Sequence, residues 1–147
     1  MREPTIFEKI IAGEIPSTKI RENDDFIAIL DVFPNCKGQT LVITKQRHSS
    51  DLSQMPSDVY ASFMLAAKEV SLLLKKGLWV ERIGMIVEGE WVDHAHIKLY
   101  PMDMTWDKTP YDKQWFDAYP WYLTSKIWEM RSKDELDSIT KLILSKN

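Results

Sequence analysis

Apolar residues recur at helical spacing in two parts of the first half of the chain. Near its start, residues 4–12 predict a short amphipathic helix that stops at Gly13. Residues 58–76 predict a long helix, capped by Ser57 and terminated by Gly77, with two lysines in its last turn. The apolar face of the first helix consists of Ile6, Phe7, Ile10 and Ile11.

Strand-like runs lie on both sides of the long helix. Residues 18–21 and 26–30 are rich in strand-forming side chains and flank an Asn-Asp-Asp run that favours a turn, so they predict a hairpin. Residues 40–44 predict a third strand. Beyond the long helix, residues 80–87 and 91–100 predict two more strands, and the proline that follows ends the last one because it cannot donate to a ladder.

The last third of the chain has a different character. Residues 102–130 show no clean period, and we expect them to form an irregular, aromatic-rich extension. A Ser-Lys-Asp-Glu capping box at residues 132–135 predicts a final helix. Its apolar face consists of Leu136, Ile139 and Ile143.

Length, charge and cysteine content restrict the class of protein. The 147 residues suit one domain, residues 1–147. The formal net charge is -3 and neither sign forms a long block, which argues against a nucleic-acid polymer as partner. A single cysteine, Cys36, excludes an internal disulfide, and no secretory signal or membrane-spanning run is readable. We therefore expect a cytoplasmic protein with no membrane partner.

Two of the three histidines occupy alternate positions of the last predicted strand. His94 and His96 share a strand face with Lys98, which places two imidazoles and an ammonium in one row. A neutral histidine in such a row can attack phosphorus, with cationic neighbours stabilising the growing charge, and a covalent phosphohistidine results. Alternatively, His94, His96 and His48 could hold a zinc ion with an open position for water.

The segment around these histidines resembles the signature of the histidine triad (HIT) superfamily, His-φ-His-φ-His-φ-φ, where φ is apolar. In residues 92–101, Val-Asp-His-Ala-His-Ile-Lys-Leu-Tyr-Pro, Lys98 stands at the third triad position. Residues 6–16 resemble the family's opening helix and its Gly-Glu-Ile-Pro exit. Residues 27–34 and 37–43 resemble its second and third strands.

The resemblance implies a fold and an assembly. We expect an α+β, HIT-like fold with a five-stranded antiparallel sheet, a long helix and a short N-terminal helix. Residues 5–101 would form its core, and residues 102–147 a C-terminal extension ending in a helix. Family members are usually homodimers whose sheets join edge to edge, so a second copy is an expected partner.

The resemblance also implies roles for individual residues. His96 matches the family's nucleophile, and His94 matches the first histidine, which helps to hold the site together. Asp31 matches the acidic residue that binds ribose hydroxyls, although a turn-capping carboxylate before Pro34 explains it equally well. The residues that match the base pocket, each of which could equally be plain core, are Ile6, Phe7, Ile10, Ile29 and Leu30.

Three departures from the family pattern concern the phosphate and the leaving group. Lys98 can neutralise phosphate charge but is a poor substitute for an imidazole acid. Gln39 stands where a histidine after glycine is common. Glu90 and Trp91 stand where many members have Gln followed by Ser or Thr as phosphate ligands.

Together these observations predict a nucleotide hydrolase or nucleotidyl transferase. It would cleave a nucleoside monophosphate from a phosphoramidate or a (di)nucleoside polyphosphate through a phosphohistidine on His96, without a cofactor. Two alternatives stay open: a catalytically weakened nucleotide-binding or regulatory protein, and the zinc-dependent hydrolase.

Overall fold

The protein is built on one antiparallel sheet. The computed structural model describes residues 2–102 and 130–145. Its strands are ordered β1-β2-β3-β5-β4, and every neighbouring pair is antiparallel, which confirms the predicted α+β fold with five strands. The elements are α1 (Ile6–Ile11), β1 (Lys19–Glu22), β2 (Phe26–Leu30), β3 (Thr40–Thr44), a 3-10 helix (Leu52–Gln54), α2 (Ser57–Leu78), β4 (Arg82–Ile86), β5 (His96–Met102) and α3 (Lys133–Leu144).

Both faces of the sheet are covered at its centre. Every residue of β2 and β3 is buried, as expected for strands that pack on two sides. Ala28 and Leu30 belong to the main core under α2 and α3. Ile27 and Ile29 belong to a smaller cluster with Phe7 of α1 on the opposite face. This second face carries the polar residues of the candidate site.

The last strand begins later than its sequence pattern predicts. Residues 91–95 are not part of β5, because its pairing with β3 begins at His96 opposite Ile43, and its pairing with β4 begins at Lys98 opposite Ile86. The strand also continues through Pro101, which pairs with Ile83. Pairing with β3 has ended at Leu99, so the missing N–H of proline is compatible with that place in the sheet.

The end of α2 also differs from the prediction. Gly77 does not terminate the helix, which continues to Leu78 and ends at Trp79 in the left-handed conformation (φ 57°). Gly77 is required elsewhere, because a Cβ atom there would lie 2.3 Å from the Cα atom of Ile143 in α3. The glycine therefore permits the close approach of two helices.

Helices α1 and α3 begin with the same type of N-terminal cap. Thr5 caps α1 and Ser132 caps α3, and in each case the glutamate three residues later completes a capping box. The α3 box was predicted, as was its apolar face, from which Leu136 and Ile143 reach the main core. The predicted irregular extension falls on residues 103–129, outside the described residues.

None of the helices among the described residues combines the length and apolar content that a membrane span requires.

Candidate functional site

A cavity of about 200 Å³ opens on the sheet face that carries α1. Its walls come from α1, the turn between β2 and β3, the segment before β5, and β5 itself. The lining residues that bear on its chemistry are Phe7, Asp31, Gln39, Trp91, His96 and Lys98. The structure thus brings together six of the residues that the sequence singled out.

One of the two ring nitrogens of His96 has a lone pair that can act as a nucleophile. Its Nδ1 lies 2.8 Å from the carbonyl oxygen of His94. A carbonyl oxygen only accepts hydrogen bonds, so Nδ1 carries the proton and Nε2 keeps its lone pair. Burial is the main cause that holds the pKa of His96 below its ordinary value of 6.5, and the Lys98 ammonium acts in the same direction. The ring is therefore a neutral imidazole with a lone pair at neutral pH.

His94 is fully buried beside it and is bonded through both ring nitrogens. Its Nε2 donates to the carbonyl oxygen of Thr44 at 2.6 Å, which leaves Nδ1 to accept from the Thr5 hydroxyl at 3.1 Å. Burial lowers the pKa of His94 as well. The edge of Phe7 packs against both imidazoles, with ring centroids 5.8 Å from His94 and 5.1 Å from His96. The sequence did not reveal Thr5, which is 89 residues away in the chain.

Lys98 forms an ion pair with Glu88 of the β4–β5 connection. Both side chains are mostly buried, with 12% and 22% of their surfaces exposed. Glu90, which the resemblance placed at a phosphate-ligand position, is exposed and does not line the cavity. The sequence pattern did not single out Glu88.

Asp31 and Gln39 close one end of the cavity as a bonded pair. The amide nitrogen of Gln39 donates to Oδ2 of Asp31 at 2.6 Å, and its amide oxygen accepts from the backbone N–H of Asn35 at 2.6 Å. The other oxygen of Asp31 accepts from the backbone of Phe33 at 2.9 Å. Asp31 therefore caps the turn, as one of its two predicted roles requires. Burial raises the pKa of Asp31.

The apolar residues expected around a base separate into two groups. Phe7 lines the cavity, and Ile10 and Ile29 pack in its cluster. Ile6 is 49% exposed and does not line the cavity. Leu30 is buried in the main core on the opposite face of the sheet, so its assignment to this pocket is wrong. The strand alternation that places Ile29 on the site face turns Leu30 away from it.

The zinc alternative does not fit the histidine geometry. All three histidines are described, and no group of three or more His, Cys, Asp or Glu among the described residues is placed to hold a metal ion. Both ring nitrogens of His94 already have partners. The His48 carbonyl oxygen accepts from the N–H of Ala95, between the other two histidines, at 3.0 Å, but His48 does not line the cavity.

A larger cavity, about 490 Å³, lies on the other side of the Asp31 and Gln39 pair, against α3. No histidine is among the described residues that line it. Of these two cavities, the smaller is the one that a described histidine lines, namely His96.

Comparisons with known proteins show which proteins this chain is similar to. An uncharacterised HIT-like protein of Methanocaldococcus jannaschii is 36% identical over 100 residues, which are 65% of this chain and 77% of that protein. The adenosine 5'-monophosphoramidase of Saccharomyces cerevisiae is 36% identical over 98 residues, 65% of this chain and 61% of the yeast protein.

Solved structures share the fold. A hypothetical histidine triad nucleotide-binding protein from Sulfolobus tokodaii matches with a TM-score of 0.75 and 23% identity, over 95% of this chain and 89% of that one. The HIT domain model matches residues 12–103, well over half of the chain. The chain therefore belongs to the HIT family.

Proposed function

We propose that the chain transfers a nucleoside monophosphate from a phosphoramidate or a (di)nucleoside polyphosphate to Nε2 of His96, and then to water. The observation that carries the proposal is the bond from Nδ1 of His96 to the His94 carbonyl oxygen. This bond leaves Nε2 of His96 as a neutral nucleophile, and the His94 carbonyl group orients its ring. His96 also lines the cavity. The name of the yeast relative, a phosphoramidase, supports the same class of substrate.

The reaction would proceed by two displacements at phosphorus. In the first, the Nε2–P bond forms, the bond from phosphorus to the leaving amine or phosphate breaks, and a leaving amine takes a proton from solvent. In the second, water attacks phosphorus and gives one proton to solvent, the Nε2–P bond breaks, and the nucleoside monophosphate leaves with the neutral imidazole restored. Lys98 is the cationic side chain among the described residues of the cavity, and it would stabilise negative charge on the phosphate oxygens in both steps.

The remaining cavity residues would bind the nucleoside. Asp31 would accept hydrogen bonds from ribose hydroxyls, since a carboxylate oxygen can accept a second bond beside those from Gln39 and Phe33. Phe7 and the exposed Trp91 would contact the base. In this proposal Lys98, at the third triad position, supplies positive charge to the phosphate and is not the acid that protonates the leaving group.

The test is to mix the protein with an adenosine phosphoramidate, quench within one turnover, and measure intact mass. We expect an added adenosine monophosphate that maps to His96 and is absent in His96→Ala. His48→Gln is a matched control, because it changes a histidine that does not line the cavity, and the adduct should persist. Neither adduct nor released monophosphate at saturating substrate would overturn the proposal.

The ion pair of Lys98 with Glu88 favours a second candidate function, nucleotide binding with little turnover. A carboxylate beside the ammonium offsets the positive charge that would otherwise face the phosphate. In that case, calorimetry would show nucleotide binding while the mass experiment shows no adduct. Glu88→Gln would then strengthen nucleotide binding, because it removes the opposing charge.

A further inference from the structure

We infer that Thr5 is a positioning residue for His96, acting through the buried ring of His94. The inference rests on the proposed function only for its kinetic readout. The proton positions of Thr5 and His94, and the hydrogen bonds that orient His96, do not depend on turnover.

The direction of each hydrogen bond in this group follows from its partners. The Thr5 hydroxyl accepts from the backbone N–H of Glu8 at 3.1 Å, as the cap of α1. Its single proton is then available to Nδ1 of His94, 3.1 Å away. That nitrogen is an acceptor, because Nε2 of the same ring donates to the Thr44 carbonyl oxygen. Thr5 therefore favours the neutral, Nε2-protonated form of His94.

The ring bonds matter because His94 lies before the regular strand. The ladder of β5 with β3 begins at His96, and outside it the peptide group of the His94 carbonyl is held by the Ala95 N–H, which donates to the His48 carbonyl oxygen at 3.0 Å. Two ring contacts add to this backbone bond and fix the side chain of residue 94, one to α1 and one to the end of β3. The anchored carbonyl then accepts from Nδ1 of His96. A displaced His94 would move the hydrogen bond that orients the nucleophile.

An ion-pair network holds Thr5 itself in place. The carboxylate of Glu8 accepts from the backbone N–H of Thr5 at 2.7 Å and from Arg47 at 3.2 Å. Arg47, whose side chain is only 14% exposed, also reaches Asp93 at 3.4 Å, next to His94 in the chain. Thus α1 is joined to the segment before β5 both through Thr5 and through Arg47.

Three substitutions separate this role from helix capping. Thr5→Val removes the hydroxyl at nearly constant volume. Thr5→Asp keeps an N-cap acceptor for α1 but has no proton to donate to His94 when ionised. Thr5→Ser keeps both functions and should rescue what valine loses. The matched control is Ser132→Val, which removes the equivalent cap of α3.

We expect Thr5→Asp to lower the single-turnover rate of His96 adduct formation by roughly tenfold or more, since displacements of about 1 Å have effects of that size. It should do so with a smaller loss of thermal stability than Thr5→Val. Ser132→Val should lower thermal stability without changing the adduct rate.

Nitrogen-15 NMR of the histidine rings gives a readout that does not depend on turnover. The charged or titratable groups whose charge affects the pKa of His94 are Glu8, Arg47 and His96. Adding an aspartate acceptor at position 5 should raise the pKa of His94 and broaden or shift the Nδ1 signal of His96. If the unmodified protein forms no adduct but these signals change, the proposed function fails and the positioning role stands. Unchanged His94 titration and an unchanged His96 signal in Thr5→Asp would overturn the inference.

Discussion

A hydrogen bond to the carbonyl oxygen of His94 sets the proton position of His96, the candidate nucleophile. Alternation along the chain predicted that His94 and His96 share one face, and this is confirmed by their common contact with Phe7. The partners that set their proton positions were not predictable, because Thr5 and Thr44 are distant in sequence from both. Local spacing identifies which side chains share a face, whereas tertiary contacts decide their protonation.

Burial of the two imidazoles should make stability depend on pH. The folded pKa of each histidine lies below its ordinary value of 6.5, so the unfolded chain binds more protons below that pH. We expect their contribution to the free energy of unfolding to be complete above pH 6.5 and to decline as the pH falls towards their folded pKa values. Chemical denaturation at a series of pH values measures it. His94→Asn and His96→Asn should each flatten the dependence, and an unchanged slope would contradict the assignment.

If Asp31 binds ribose as proposed, Gln39 should affect the strength of that binding, because its amide donates to Asp31. In Gln39→Glu the side chain can still accept from Asn35 but, when ionised, repels Asp31 instead of donating to it. Because a hydrogen bond to a charged group contributes about 1.5–3 kcal/mol, we expect preference for adenosine monophosphate over its 2'-deoxy form to fall by roughly tenfold. Calorimetric titration of both nucleotides measures the ratio.

The chain contains a matched control for that substitution. Gln54 donates to Asp51 at 2.9 Å on an exposed part of the surface, outside the cavity. Gln54→Glu should leave the ratio of the two affinities unchanged. Equal effects of the two substitutions would show that the response is a general consequence of added charge.

At the level of elements, the boundaries that the sequence predicts correctly are those set by the local preference of residues for helix or strand. The third strand was placed at residues 40–44, where the structure has it, because a run of β-branched and apolar side chains fits a strand buried on both faces. Residues 91–95 also belong to a predicted strand, yet they precede β5, because they have no ladder pairing with β3 or β4. Glycine at position 77 locally predicts a helix end, since the approach of a helix 66 residues later cannot be read from local sequence.

Gly77→Ala should therefore destabilise the protein, although alanine is the better helix former by about 1 kcal/mol. The added Cβ would lie 2.3 Å from the Cα atom of Ile143, and a backbone atom cannot move aside as a flexible side chain can. Overpacking of this kind costs about 1–3 kcal/mol. Urea denaturation measures the change, and Lys76→Ala, at the exposed neighbouring position, should have little effect. A gain in stability for Gly77→Ala would contradict the close packing of the two helices.

At the level of the whole molecule, the two edge strands of the sheet differ in character. The strand β1 is short and carries Lys19, Arg21 and Glu22, which are typical of an edge protected from association. The other edge, β4, has Met85 38% exposed, and Val87 just beyond it is 41% exposed. If the family's edge-to-edge dimer forms in this protein, β4 is the edge we expect to pair.

Met85→Lys should then weaken dimerisation by placing a charge at that edge. Light scattering coupled to gel filtration would show a dimer for the unmodified protein and a smaller mass for the variant at the same concentration. Arg21→Met, an apolar change on the other edge, serves as the control and should leave the mass unchanged. A monomer in every case would remove the expectation of a homodimer.

The contact of Gly77 with α3 also bears on how sequences of relatives can be interpreted. The HIT domain match ends at residue 103, before α3 begins, yet Leu136 and Ile143 complete the main core. A Cβ atom at position 77 would force the backbone of a helix docked as α3 is here to shift. We therefore expect relatives that dock a helix in this way to have glycine at the position aligned with residue 77. A relative with a larger residue there must cover the end of its long helix in another way or leave that surface open to a different partner.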